Sequence, residues 1–165
     1  MRIDNLNLTN FRGFSQQSFA FGEAFNLVVG ENGKGKTSIL EGLSVAAGGI
    51  FAKFPSQYIN VRDIQVEDVH QIFHLQGQTL TMEPQFPCVV GCKGNVGGEI
   101  GTWACSMQAG QKMDRAGSDW IAKRSAQLQK KVQDGAPVEL PVISHYGTER
   151  LWIQAGTQKV NTLGP

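Results

Sequence analysis

Between positions 30 and 38 the chain reads Gly30-Glu31-Asn32-Gly33-Lys34-Gly35-Lys36-Thr37-Ser38, which fits G-x-x-x-x-G-K-[ST] at every fixed position. These residue types suit the gripping of a polyphosphate. Glycines at 30, 33 and 35 allow backbone angles that a side chain disfavours, so successive N–H groups can curl inward around an anion. Lys36 then brings a mobile positive charge to the β- and γ-phosphates, and the Thr37 hydroxyl is placed to ligate Mg²⁺. The Ser38 N–H lies where the following helix opens and where its dipole favours negative charge. With Asn32 and Lys34 these residues form the expected binding set, and its ligand is a nucleoside triphosphate with magnesium. The loop reads phosphates and not the base, so it does not separate ATP from GTP.

The motif needs a strand before it and a helix after it. Phe25-Asn26-Leu27-Val28-Val29 is a short apolar run that predicts a buried strand ending at Gly30. Ile39, Leu40, Leu43, Ala46 and Ala47 share one face at helical spacing, with Gly48-Gly49 as the stop. Upstream, Leu6, Leu8, Phe19 and Phe21 show period-two fragments on either side of Arg12-Gly13-Phe14, which predicts two early paired strands. Val66, Val69 and Phe73 predict a helix within 62–75, and the glycine-broken alternation over 79–108 predicts an antiparallel meander. Ile121, Leu128 and Val132 predict a helix from about Ser118, a candidate cap, to Gln133, and Val142–Tyr146 reads as a core strand. The sum is an α/β P-loop NTPase fold with a mixed core sheet, an antiparallel β layer and flanking helices.

At 165 residues, 41% hydrophobic and 18% charged, the chain can bury one substantial core, and no apolar run is long enough to cross a bilayer. A net charge of +1 gives no global pull towards nucleic acid or a membrane. Cys88, Cys92 and Cys105 form no disulfide framework, which predicts a reducing, cytoplasmic compartment.

Four other groupings are weaker. His70 and His74, with Glu67 nearby, could edge a helix and offer two imidazoles to a metal, but they lack the H-E-x-x-H order and read better as a polar edge. Cys88 and Cys92 face the same way on a strand and read as buried thiols. Lys123, Arg124, Lys130 and Lys131 form a basic stripe on the later helix, able to touch DNA phosphate but more simply a solvated face. Trp103, Trp120 and Trp152 have no regular spacing with basic residues and make no stacking platform.

Asn10-Phe11-Arg12-Gly13-Phe14, followed by Gly30, Asn32, Gly33, Gly35, Lys36 and Thr37, resembles the N-terminus of SMC/RecF-type ABC ATPases, with Lys34 where serine is common. Leu140-Pro141-Val142-Ile143-Ser144-His145-Tyr146-Gly147-Thr148-Glu149-Arg150-Leu151-Trp152 is similar to a segment of bacterial ATP-binding proteins that include relatives of the anti-phage Septu PtuA ATPases. The resemblance implies a nucleotide-dependent head that pairs with a second head around ATP, with Arg12 approaching the phosphates. A guanidinium suits that task through its fixed fork of donors. Residues 1–165 are then expected to be the N-terminal lobe of a larger ATPase, because no apolar strand ending in Asp-Glu and no signature loop occurs in them. A C-terminal lobe, and in the complete protein a homodimer of heads, are the implied partners for hydrolysis. Arg150 and Gln154, beyond Glu149, are candidates for the magnesium-sensing loop. The implied setting is DNA metabolism or phage defence, with DNA or a nuclease as further partners. The alternatives are a nucleotide sensor that gates a nuclease or toxin, and the ATP-binding subunit of a transporter.

Overall fold

In a computed structural model, which describes residues 1–51, 61–77 and 79–147, the first strand is the middle of the main sheet. The strands are β1 (Arg2–Phe11), β2 (Phe14–Ala20), β3 (Gln71–Gln76), β4 (Thr79–Pro84), β5 (Cys88–Val96) and β6 (Glu99–Met107). The main sheet runs β2-β1-β5-β6 with every pair antiparallel, and β3-β4 is a separate two-stranded sheet. Leu8 lies opposite Gln17 on one side and Val90 on the other. Side chains alternate across a strand, so Leu6 and Leu8, then Cys88, Val90, Cys92 and Val96, then Trp103, Cys105 and Met107, all fall on one buried face.

Helices α1 (Lys36–Gly48) and α2 (Asp119–Gln133) cover that face. Gly42 lets α1 lie close to β1, since a Cβ there would come within 2.9 Å of the Leu8 side chain. Trp103 donates its indole N–H to the Ala46 carbonyl at 2.8 Å and stacks on Trp120 with ring centroids 5.7 Å apart, so both rings are used in packing. Burial pushes the Cys88 thiol up to about 12, with the Asp68 charge adding to the effect, and the thiols of Cys92 and Cys105 are also raised. All three are buried free thiols, as expected for Cys88 and Cys92.

The two early strands, both helices and the β5–β6 hairpin match the sequence reading, whereas the expected mixed core sheet is, among the described residues, replaced by two all-antiparallel sheets, because no parallel strand forms to pair with β1. Residues 62–75 are not helical: Val66 and Phe73 are exposed, only Val69 is buried, and a short 3-10 turn at Val66–Asp68 leads into β3. The residues expected to share a helix face divide because 71–76 finds a ladder partner in β4, which therefore pairs away from the meander. The strand expected at Phe25–Val29 is not formed, nor is that at Val142–Tyr146, because neither run has a hydrogen-bonded partner strand among the described residues. Phe25, Leu27, Val29 and Val142 are exposed, while Val28 and Ile143 line one groove against Leu40 and Leu43 of α1. Ser118 is no side-chain cap; its hydroxyl donates to the Ala104 carbonyl at 2.8 Å. Arg124 is not on a solvated stripe. It is buried, donating to the Val96 and Gly97 carbonyls and pairing with Glu99 at 2.6 Å, while Lys123, Lys130 and Lys131 are exposed. No helix among the described residues is long and apolar enough to cross a membrane.

Leu8 is fully enclosed between β2, β5 and α1, so Leu8→Ala is expected to lower stability by about 2–5 kcal/mol in urea unfolding. Gln17→Ala, at the exposed register partner of Leu8 on the edge strand β2, is expected to stay within about 0.5 kcal/mol.

Candidate functional site

The glycine loop has the backbone its sequence asks for. Gly33 and Gly35 take left-handed conformations with φ of 81° and 87°, and Gly35 is the residue that opens α1, its carbonyl accepting from Ile39 N at 3.0 Å. Gly35 is constrained a second time: a Cβ there would meet the Phe14 ring at 2.5 Å. That ring is braced edge-on by Phe19, with centroids 5.4 Å apart. The Lys36 ammonium donates to the carbonyls of Gly30 and Glu31 at 2.6 and 2.7 Å, which closes the loop into a ring. A cleft of about 510 Å³ opens over it, lined by Asn32 to Ser38 with Gly13 and Phe14. The unpaired amides of the first turn of α1 face an anion favourably there.

Arg12 lies beside this cleft. It lines a neighbouring cavity of about 810 Å³ that shares Thr37 with the loop cleft and also includes Glu41, Arg62 and Gln65. Its Nε donates to Asp68 Oδ1 at 2.7 Å. The same oxygen accepts from Arg62 Nη2 at 2.8 Å, Asp68 Oδ2 accepts from Gln65 N at 3.0 Å, and Arg62 Nε pairs with Glu41 of α1. Asp68 is only 1% exposed. Burial alone would raise its pKa, but the bonds from Arg62, Gln65 N–H and Arg12 outweigh burial and hold it below the usual 3.8.

The loop residues and Arg12 are thus brought to two adjoining clefts. Arg150 and Gln154 lie outside the described residues. The His pair is not a metal site: His70 Nδ1 donates to the Arg12 carbonyl at 2.6 Å, and His74 on β3 meets Glu83 at 3.0 Å. No cluster of metal-ligating side chains occurs among the described residues. Asp68, Arg62 and Glu41 were not singled out from sequence, because single charged residues in unrelated segments carry no spacing signal.

Two expectations follow from this geometry. Gly35→Ala combines an unfavourable φ with a ring clash and is expected to cost about 1–3 kcal/mol in thermal unfolding, whereas Gly30→Ala meets nothing within 4 Å and is expected to cost less. Equal losses would show that neither constraint acts. Asp68 titrates lower when folded than unfolded, so its contribution is complete above its unfolded pKa and is lost as pH falls towards the folded value. Urea unfolding of wild type and Asp68→Asn should therefore differ by a constant amount above about pH 5, and the gap should narrow below about pH 4.

The AAA domain family profile matches residues 5–159. The DNA replication and repair protein RecF of Shouchella clausii (strain KSM-K16) is 28% identical over 163 residues, covering 89% of this chain and 41% of that protein. RecF of Francisella tularensis subsp. novicida (strain U112) is 54% identical over 43 residues, covering 26% of this chain and 12% of that protein. The chain therefore spans less than half the length of these curated relatives. These likenesses support an N-terminal region of the SMC/RecF type, and the α/β architecture fits a P-loop NTPase fold in general. With the match running through nearly all of its length, the chain belongs to the AAA domain family.

Proposed function

We propose that residues 1–165 form the ATP- and magnesium-binding N-terminal lobe of an SMC/RecF-like ATPase that acts in DNA metabolism. The observation that carries this is the left-handed Gly33–Gly35 curl at the N-terminus of α1, with Lys36 drawn over the same ring. The donor set fits a triphosphate: backbone amides from Gly33 to Ser38, the Lys36 ammonium, and the Arg12 guanidinium from the adjoining cleft, with Asn32 and Lys34 completing the wall. Thr37 offers the hydroxyl for Mg²⁺, and the bound ion would neutralise phosphate charge.

Hydrolysis is assigned to the complete protein, with a C-terminal lobe and a second head as partners. The role in DNA metabolism is taken from the RecF likeness. Phage defence with a nuclease partner is the second reading, favoured by the Leu140–Trp152 segment resemblance. Any direct DNA contact on α2 would fall to Lys123, Lys130 and Lys131 and not to the buried Arg124. Three reduced, buried cysteines support a cytoplasmic setting.

Titration calorimetry with ATP and magnesium tests the central reading. Lys36→Ala is expected to weaken binding by about tenfold or more while the thermal unfolding curve stays close to wild type. Unchanged affinity would sink the proposal. The chain by itself is expected to turn over ATP more slowly than about one per second.

A further inference from the structure

Arg12, the first residue after β1, takes a backbone conformation that side chains avoid, with φ of 51° at Arg12 and 49° at Asn10. Such residues persist only where the surroundings over-determine them. Here the surroundings are one short strap, residues 65–70. Arg12 N donates to the Asp68 carbonyl at 2.6 Å, His70 N donates to the Asn10 carbonyl at 2.9 Å, and His70 Nδ1 donates to the Arg12 carbonyl. Phe11 bridges Val69 between them. The Arg12 side chain is then fixed by Asp68 through Nε. The arginine side chain remains 30% exposed on a cleft wall while its carboxylate partner is 1% exposed beneath it.

We propose that Asp68 is the positioning residue for Arg12: it holds the guanidinium by Nε so that the two amino groups are presented to phosphate oxygens. This rests on the nucleotide-binding reading above. Arg62 completes the device. It shares Asp68 Oδ1 with Arg12 and pairs with Glu41 on α1, which ties the strap to the helix whose first turn carries Lys36 and Thr37. Because Oδ1 serves two guanidiniums and Oδ2 is taken by Gln65 N, Asp68 has a fixed orientation and can act as a stop for Arg12.

The test is a double-mutant cycle on ATP·Mg²⁺ affinity in the full chain, using wild type, Asp68→Asn, Arg12→Ala and the double variant. Asp68→Asn is expected to weaken binding about tenfold in the wild-type background and less than about twofold once Arg12 is already alanine. Equal losses in both backgrounds would make Asp68 merely structural. Unchanged or tighter binding by Asp68→Asn would make it a competing anion, and either result overturns the proposal. Should Asp68→Asn not fold, nitrogen-resolved NMR of the wild-type chain decides. The Arg12 Nε–H signal, identified by its loss in Arg12→Ala, is expected to exchange slowly both without nucleotide and at saturating ATP·Mg²⁺. Exchange at the rate of a free arginine in the complex would overturn it. Lys36→Ala separates the two levels. If that variant loses binding while the cycle is additive, only the role of Asp68 fails; if it binds like wild type, the phosphate-loop reading fails and this inference with it.

Discussion

A carboxylate removed from water must be matched by donors close enough to replace its hydration, and Asp68 is the group on which that requirement falls. Its two oxygens collect Arg12, Arg62 and the Gln65 amide, and with them the end of β1, the strap before β3 and, through Glu41, helix α1. The candidate site therefore joins two kinds of construction. The loop from Gly30 to Ser38 draws on the backbone, with glycine angles and a helix end setting the direction of the amides. The Arg12 side draws on a buried ion cluster that fixes where a long, otherwise mobile side chain points.

What the sequence disclosed followed from how local each feature is. The glycine loop is written in nine consecutive residues, and α1 and α2 carry periodic apolar faces, so the turn and both helices could be read directly. Ile72 and Phe73 could equally sit on a helix or a strand; the ladder with β4 decided it, and that partner lies across a turn the periodicity did not weigh. Arg124 reads as surface from its charge. It is buried because the turn between β5 and β6 leaves the carbonyls of Val96 and Gly97 pointing at α2, where only a strong donor can satisfy them. Asp68 caps its own turn through Gln65 N, but the arginines that make it part of the site lie 6 and 56 residues away, beyond the reach of a local pattern.

The two apolar runs that form no ladder illustrate the same point. Phe25–Val29 and Val142–Tyr146 have the composition of buried strands, yet each shows water several large side chains, and they line a groove with α1 through Asn26 and Val28 and through Val142, Ile143, Ser144 and His145. Composition specifies that a run should be covered. It does not supply the neighbour, and a strand is defined by its neighbour.

The hairpin that carries Arg12 is held by remote parts of the chain. Asn10 Nδ2 also donates to the Pro87 carbonyl, 77 residues on, while the glycine loop and α1 close over a handful of positions. Closing a contact of long sequence separation carries a larger entropic cost than closing a local turn. The placement of Arg12 therefore depends on the docking of β5 and the strap, whereas the turns of the glycine loop are set mainly by residues adjacent in sequence.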